Sequence, residues 1–429
     1  MSRFLSYIFI FFATLSLVSC SRNSSDSLDD EMEGGGIAGD RTMLLLRVSP
    51  LNTQTTSQTP VEKVKTLRII IINEDVIECN RSFDIPTTLA SQLTYTLTWP
   101  TLAGTKEVYV IANEESVENG LGKFLDNFAE NSESSKSKFQ EWLKDYYFSP
   151  EYTVEDNSIY LPYTSYYGNL TVQKEEAKKI TAYLVPVATK FIFNFTNNRD
   201  YPVNVNGISF DKANKSNYLF AQVGEKDLKK DFDGTSYYWI DWLAKVSEAS
   251  HGSAGFSSNE EFNKLYGWIS EYEIPKGDEA ETYVFKVEDA PITVEGVTTD
   301  ETDETVSIPG RCTVGPFYVP ESKNVEDMKD NDGKPVTDSD GNPVKEHVYY
   351  LTIGLKDTAP GKTAPEFTNV VIPNLKALFR NTYVVINVNM SQGAIEVYAE
   401  IHEWTKKEAY GWVVEGKEPS PNPMSDNNK

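Results

Sequence analysis

The stretch KVKTLRIIII (63–72) predicts a β-strand early in the chain. It is rich in β-branched residues, which favour strands, and it ends at Asn-Glu-Asp (73–75), a sequence typical of turns. A second stretch, QLTYTLTWP (92–100), alternates polar and apolar residues and predicts a half-buried strand that ends at Pro100. The apolar residues that share one face of this strand are Leu93, Tyr95, Leu97 and Trp99. A third stretch, EVYVIANEE (107–115), also predicts a strand.

The hydrophobic period changes after residue 115. Apolar residues now recur every three or four positions, which predicts two amphipathic helices within 115–147, separated by the polar stretch 130–136. These residues are Val117, Leu121, Phe124, Leu125, Phe128, Phe139, Trp142, Leu143 and Tyr146. A similar pattern with Gly and Ser in its middle predicts two more short helices in an insertion near 224–272.

Strand patterns occur again on both sides of this insertion and continue to about residue 404. Long strands at roughly regular spacing, joined by polar loops, are typical of β-sandwiches. We therefore predict a mainly β protein with two β-sandwich (transthyretin-like) domains and a few inserted helices. The predicted domains are 42–186 and 187–429, the second of which carries the helical insertion and a C-terminal tail.

The first residues have the pattern of an export signal. Arg3 precedes an apolar run over 4–18, which fits a signal-peptide core of ~7–15 residues and is shorter than a membrane span of ~20. A large aliphatic residue, Leu17, lies three places before Cys20, and the small Ser19 directly before it. This order resembles the bacterial lipobox, in which the cysteine receives a diacylglycerol and the peptidase cuts just before it. A plain signal peptide with a chance cysteine is the alternative.

The lipobox reading divides the N-terminal residues into two segments. Residues 1–19 are predicted to be the signal peptide, and 20–41 a lipidated flexible tether or propeptide. The tether is rich in Ser, Asn, Asp, Glu and Gly, and such a segment buries too little apolar surface to offset its chain entropy. Because no later run is apolar enough to span a bilayer, membrane attachment is predicted to depend on the lipid at Cys20.

Charge and residue usage exclude several classes of function. The 429 residues contain 40 Lys and Arg against 64 Asp and Glu, a net charge of −24, which disfavours binding to nucleic acid or anionic lipid. Beyond Cys20, Cys79 and Cys312 lie in different predicted domains and are expected to be separate buried thiols. The histidines are far apart in sequence and predict neither a zinc site nor a Ser-His-Asp triad; they are His251, His347 and His402. We predict no cofactor, no metal site and no enzymatic activity. A carboxylate-based hydrolase remains a minor alternative.

The spacing of an EF-hand calcium loop does not fit the acidic loop DMKDNDGKPVTDSDGNPVKEH (327–347). Placing either Gly333 or Gly341 at the sixth position of an EF-hand loop leaves required ligand positions without oxygen ligands. A solvated hairpin loop with Asp-Gly turns is the favoured reading, and other metal geometries stay open.

The chain is also rich in aromatic residues, at 12 %. Exposed aromatic rings can stack on sugars, although such residues more often fill a sandwich core. A surface glycan-binding lipoprotein that uses exposed aromatics is therefore an alternative function.

The order of segments resembles the fimbrillin family, the two-domain pilins of Bacteroidales, over nearly the whole chain. The most specific piece is LFRNTYVVINV (378–388) followed by EIHEW (400–404). The other segments that carry the resemblance are the lipobox leader, VEKVKTLRIIIIN (61–73), VIAN (110–113), VATKFIFNF (187–195) and GPFYVPES (315–322).

This resemblance implies a function and an assembly route. In that family the subunit reaches the outer membrane as a lipoprotein, and a trypsin-like protease cuts after an arginine and removes the lipid and the first strand. A strand from a neighbouring subunit then fills the groove. We therefore expect a structural subunit of a surface fimbria, first anchored in the outer membrane by its lipid and then assembled into the fimbrium. The implied partners are copies of the same subunit, accessory fimbrial subunits and a host or bacterial surface ligand.

The resemblance also assigns site residues near the N-terminus. The strand to be displaced is TMLLLRV (42–48). Its run of Met43, Leu44, Leu45 and Leu46 does not alternate with polar residues, so both faces of this strand are expected to be covered. The predicted cleavage follows Arg47. A cut at Arg41 would leave the strand in place, Lys63 suits an arginine-specific protease less well, and an uncut chain would be a lipid-anchored base subunit.

The C-terminal segment AYGWVVEG (409–416) completes the predicted site. Its alternating Tyr410, Trp412 and Val414 are typical of a strand. This strand is either a donor for a neighbouring subunit or the last strand of its own domain. The role of the subunit as stalk, tip or anchor stays open.

Overall fold

The chain is a mainly β protein, and its described residues form several sheets and two α-helices. The computed structural model describes residues 41–403 except for 50–60, 86–94, 224–271, 274–280, 286–291, 358–366 and shorter gaps. No helix in this described part is long and apolar enough to cross a membrane. The predicted helices of the insertion, Cys20 and the segment 409–416 lie outside the described residues.

The first group of strands occupies residues 41–186. Its strands are β1 (Arg41–Ser49), β2 (Val61–Glu62), β3 (Thr66–Asn73), β4 (Val76–Asp84), β5 (Tyr95–Leu102), β6 (Gly104–Ala112), β7 (Tyr147–Phe148), β8 (Thr153–Glu155), β9 (Ser158–Tyr160), β10 (Tyr163–Val172), β11 (Lys178–Tyr183) and β12 (Val185–Pro186). Between β6 and β7 lie a 3₁₀ turn (Glu114–Ser116), α1 (Leu121–Leu125) and α2 (Glu133–Asp145).

Two sheets of this group enclose one apolar core. A three-stranded sheet has the order β11-β1-β5, and a five-stranded sheet has the order β12-β10-β6-β3-β4. The core between them includes Leu44 and Leu46 of β1, Leu67 and Ile69 of β3, and Ile180 of β11. β3 is buried on both faces, because Ile70 and Ile72 point the other way, into a cluster with α1 and α2. This double burial explains the unbroken apolar run that the sequence shows at 69–72.

The second group of strands begins at residue 189. Its strands are β13 (Thr189–Asn197), β14 (Val203–Ala213), β15 (Asn217–Tyr218), β16 (Gln222–Val223), β17 (Tyr272–Glu273), β18 (Glu281–Phe285), β19 (Ile292–Val294), β20 (Thr298–Thr299), β21 (Ser307–Ile308), β22 (Gly310–Val319), β23 (Val325–Asp327), β24 (Lys345–His347), β25 (Tyr350–Asp357), β26 (Phe367–Val371), β27 (Thr382–Met390) and β28 (Ile395–Glu403).

This group also has two main sheets with a core between them. Their orders are β22-β13-β27-β28 and β18-β14-β25-β26, with β19 added to β14. Alternate residues of β13 fill the core, namely Phe191, Phe193 and Phe195, and Ile386 of β27 is among the residues packed with them. β16 pairs with β17, so the two ends of the segment 224–271 lie side by side.

Two details differ from the sequence prediction or refine it. β5 does not end at Pro100 but continues to Leu102. Among the described strands β5 pairs with β1 alone and is an edge strand, and edge strands tolerate proline because an outward-facing backbone N–H is not needed there. Cys79 and Cys312 are separate free thiols, as predicted, but only Cys79 is fully buried. Burial raises the pKa of the Cys79 thiol well above its ordinary value.

The loop between β23 and β24 is a hairpin with Asp-Gly turns, as predicted. The side-chain oxygen Oδ1 of Asp330 accepts hydrogen bonds of 2.9 Å from the backbone N–H groups of Asp332 and Lys334. Asp338 binds Asp340 and Asn342 in the same way, and the hydrogen bond from the Asn342 N–H is the main cause that lowers the pKa of Asp338. In the parts of the chain that the structure describes, no group of three or more His, Cys, Asp or Glu side chains is placed to hold a metal ion.

Candidate functional site

β1 lies between two strands that do not otherwise meet. It pairs in parallel with β11 over Leu44–Ser49 and antiparallel with β5 over Arg41–Val48. In the described part of the chain, β1 is the strand that joins β5 to β11 in one sheet. We call the space between β5 and β11, which β1 fills, the slot.

Among the inward side chains of β1 that the structure describes, two are apolar and one is polar. Leu44 and Leu46 are 0 % and 1 % exposed and pack in the first core, and burying such a side chain stabilises a fold by about 1.5–3 kcal/mol. Thr42 is the third inward residue and is also buried. Across the slot, Thr42 is opposite Thr101, Leu44 is opposite Trp99, and Leu46 is opposite Leu97. On the other side, Leu46 is opposite Ile180 of β11.

The outward face of β1 is not covered as predicted. Met43 is 37 % exposed, so the expectation that both faces of β1 are buried was wrong at this position. The apolar run of β1 resembles that of β3, but the helices lie on the outer face of the sheet that contains β3. Leu45 lies in the paired strand, and its surroundings are outside the described side chains.

Both candidate cleavage residues lie in β1. Arg41 is the first residue of the strand and pairs with Leu102 of β5. The Arg47–Val48 bond lies inside the ladder, because Arg47 pairs with Thr96 and Thr181, and Val48 pairs with Tyr95 and Ala182. A protease must reach this bond from a strand that is paired on both sides, so the bond becomes accessible only when the end of β1 separates from its neighbours.

The chain that follows β1 is fixed by a set of polar contacts that sequence reasoning missed. The Glu62 side chain, 1 % exposed, accepts hydrogen bonds from Lys190 Nζ and from the hydroxyl of Tyr318, both at 2.8 Å. Lys190 lies in β13 and Tyr318 in β22, so these contacts join the first group of strands to the second. Lys190 Nζ also lies 5.6 Å from the ring centroid of Tyr383. We call Glu62, Lys190 and Tyr318 the clamp.

Asn113 fixes the residues next to the clamp. It adopts a left-handed conformation with φ of 55° and is fully buried. Its side-chain amide donates to the carbonyls of Lys63 and Leu161 at 2.8 and 2.7 Å, and its Oδ1 accepts from the backbone N–H of Lys65 at 2.7 Å. This gives a structural reason for the VIAN segment: the asparagine ends β6 and holds the chain between β2 and β3.

Arg380 and Asn381, the Arg-Asn pair of LFRNTYVVINV (378–388), fix the chain in the second group of strands, as Asn113 does in the first. Arg380 is buried with Glu321, and Nη2 of Arg380 lies 2.6 Å from Oε2 of Glu321. Arg380 also donates to the backbone carbonyls of Tyr218 and Leu219 at 2.8 and 3.0 Å. Asn381 follows in a left-handed conformation with φ of 61° and starts the turn into β27.

Comparison with known proteins adds to this geometry. No known family profile matches the sequence, and no curated protein matches it. Among solved structures, the chain is similar to the tip fimbrial protein Mfa3 from Porphyromonas gingivalis, with 12 % identity and a TM-score of 0.42, covering 85 % of this chain and 100 % of that one.

Two further solved structures are similar over the same part of the chain. One is a fimbrilin from Porphyromonas gingivalis, with 11 % identity and a TM-score of 0.36, covering 84 % of this chain and 98 % of that one. The other is a fimbrial assembly protein from Parabacteroides distasonis, with 11 % identity and a TM-score of 0.33, covering 84 % of this chain and 95 % of that one.

Proposed function

We propose that this chain is a structural subunit of a surface fimbria, assembled when a strand of a neighbouring subunit replaces β1. The observation that carries the proposal is the position of β1 in the slot. Removing it would leave β5 and β11 without strand partners and would uncover the core around Leu97 and Ile180. Unpaired strand edges and exposed apolar core are both unfavourable in water, so an empty slot binds another extended strand.

The position of β1 in the sequence supports replacement rather than permanent residence. β1 precedes every other described element, and its only covalent link to them is through the segment 50–60. The clamp and Asn113 hold the chain from Glu62 onward, so the loss of β1 need not propagate into β3. The proposed subunit would therefore keep its fold while the slot changes occupant.

The proposed route begins with export as a lipoprotein modified at Cys20 and continues with a cut after Arg47. The cut releases most of β1, and the segment 409–416, with Tyr410, Trp412 and Val414, is the proposed donor strand. Because the Arg47–Val48 bond is paired on both sides, the cut requires that Arg47–Ser49 open first or be cut before β1 docks. Once a donor strand has docked, slow dissociation would make the fibre kinetically stable.

The test compares two arginine variants of the exported precursor. Arg47→Ala should remain monomeric, whereas Arg41→Ala is the matched control and should polymerise like the unaltered chain. Polymer length is read from ladders on unboiled gels, and N-terminal sequencing of the fibre should give Val48. Normal fibres from Arg47→Ala would place the cut elsewhere, and fibres with an intact lipid-bearing N-terminus would identify a base subunit. Cys20→Ala should abolish incorporation of labelled palmitate.

A second candidate function is recognition of a surface glycan. Phe124 on α1 is 40 % exposed, and its ring lies 4.9 Å from that of the half-buried Trp142 on α2. The ring of Tyr146 lies 4.4 Å from that of Trp142, so the three rings form a row at the surface. Aromatic rings in such a row can stack on the apolar faces of sugars.

The glycan function has its own test. Trp142→Ala should lower binding to a glycan array, whereas Tyr398→Ala, which alters an exposed aromatic of β28, should leave it unchanged. Equal binding by both variants would exclude the row as a sugar site. This outcome leaves strand replacement unaffected, because the aromatic row and the slot are made by different elements.

A further inference from the structure

The slot contains one buried polar group that β1 does not satisfy. Thr101 of β5 is 3 % exposed, and its hydroxyl oxygen has no hydrogen-bond partner among the described residues. Thr101 shares the inward face of β5 with Leu97 and Trp99, because residues two apart in a strand face the same way. Thr42 of β1 is directly opposite Thr101, yet it makes no hydrogen bond to that hydroxyl.

We propose that Thr101 is the position that sets the register of the strand that replaces β1. This inference rests on the proposed exchange at the slot. A replacement strand whose side chain opposite Thr101 reaches the Thr101 hydroxyl, as the longer Asn side chain can, satisfies a buried group that Thr42 of β1 leaves unsatisfied. A buried polar group without a partner is unfavourable, so such a strand binds the slot more tightly than β1 does.

The arrangement of the slot explains why one position is enough to set the register. Of the described inward residues of β1, the one opposite Thr101 is polar, and those opposite Trp99 and Leu97 are apolar. A slip by two residues would place an apolar side chain on the Thr101 hydroxyl or a polar one on an apolar position. A slip by one residue would turn every inward side chain outward.

The same feature provides a driving force for exchange. β1 buries Leu44 and Leu46 well, but it leaves Thr101 unsatisfied and Met43 exposed on the outer face. A strand with two apolar inward residues and an Asn in the place of Thr42 makes the apolar contacts of β1 and adds the missing hydrogen bond. The preferred occupant is therefore an extended peptide with an Asn, or another side chain long enough to reach the Thr101 hydroxyl, two positions before the first of two apolar inward residues.

The experiment uses the full chain with a specific protease site inserted in 50–60, so that β1 can be cut from the folded protein and exchanged. Two competing peptides have the β1 sequence RTMLLLRVS with Thr42→Asn or Thr42→Val. Mass spectrometry of the folded protein measures which peptide occupies the slot. The Asn peptide should be favoured about fivefold, which corresponds to about 1 kcal/mol for the net effect of one hydrogen bond. In the Thr101→Val chain this preference should disappear or reverse.

A control variant shows whether the preference for the Asn peptide depends on Thr101 or on any buried hydroxyl without a partner. Ser165 of β10 is also buried with an unpartnered hydroxyl but lies outside the slot, so Ser165→Ala should leave the Asn preference intact. An equal preference in the unaltered and Thr101→Val chains would overturn the register proposal while leaving exchange supported. Failure of both peptides to enter any of the chains would overturn the exchange function and this proposal with it.

Discussion

β1 and β27 have the same pairing pattern but different roles. Each lies between a parallel and an antiparallel neighbour: β11 and β5 for β1, β13 and β28 for β27. β27 is paired with both neighbours over all nine residues from Thr382 to Met390 and follows the buried Arg380–Glu321 pair. β1 precedes the other described elements, and the clamp begins only after it. The proposed replacement of β1 depends on this difference, because the covalent link and the fixed polar contacts of the described chain lie only on the C-terminal side of β1.

The largest expected loss of stability follows substitution of Arg380, in the second group of strands. Arg380→Met leaves the Glu321 carboxylate buried without its partner and removes the donors to two backbone carbonyls. We expect the free energy of unfolding to fall by about 4 kcal/mol, measured by urea denaturation. Arg81→Met is the matched control, because the Arg81 side chain is 58 % exposed and its loss should have a small effect. Similar losses for both variants would contradict the anchoring role of Arg380.

The next prediction compares the two strands directly. Ile386→Ala in β27 should lower the free energy of unfolding by about 3 kcal/mol, since Ile386 is fully buried. Leu46→Ala removes a comparable side chain from β1, but it should mainly promote opening of β1 before the rest unfolds. Its effect on the main urea transition should therefore be smaller, whereas proteolysis within 41–49 should become faster. Equal shifts of the main transition would show that β1 unfolds only with the whole chain.

These strands also show what the sequence could predict. The β-branched runs predicted β3 and β27, because strongly patterned segments form strands in most tertiary contexts. The apolar run of β1 predicted a strand correctly but not its half-exposed outer face, since sequence alone does not say which sheet the helices cover. The slot itself, Thr101 and the clamp all depend on which strands become neighbours. The contact of Glu62 with Lys190 joins residues 128 apart in sequence, and no local pattern signals it.

A smaller effect is expected at the clamp. Lys190→Met removes the cation bound to Glu62, but the Tyr318 hydroxyl still donates to this carboxylate. The free energy of unfolding should fall by about 2 kcal/mol. In the chain cut within 50–60, the same variant should also free residues 61–65 from the second group of strands, seen as new proteolytic sites near Lys63 and Lys65. Protection of these two lysines in the variant would contradict a clamp that holds the chain after β1.

The smallest expected effect is a pH dependence near the helices. Burial raises the pKa of Glu130, but hydrogen bonds from Arg81 and from the Asn80 backbone N–H outweigh it, so the pKa lies below its ordinary value. A carboxyl group with a lowered pKa in the folded state stabilises the fold above its unfolded pKa, and this contribution is lost as the pH falls through the folded value. Because the pair is partly exposed, Glu130→Gln should reduce the stability at pH 7 by less than about 1 kcal/mol.

The pH dependence of this effect is measured on the Glu130→Gln variant at acidic pH. The stability difference between Glu130→Gln and the unaltered chain, measured by urea denaturation, should shrink as the pH falls from 6 to 3. A difference that is independent of pH would show that the carboxylate charge of Glu130 does not contribute.

Native-state hydrogen exchange of β1 and β27 tests the central claim most directly. If β1 is replaceable, it can leave while the two cores stay folded. The backbone amides of β1 should then exchange through an opening of lower free energy and weaker denaturant dependence than those of β27. The amides of β3 and β13 should exchange with those of β27. If the amides of β1 and β27 instead share one opening free energy and one denaturant dependence, β1 leaves only on global unfolding, and the account of a replaceable strand is contradicted.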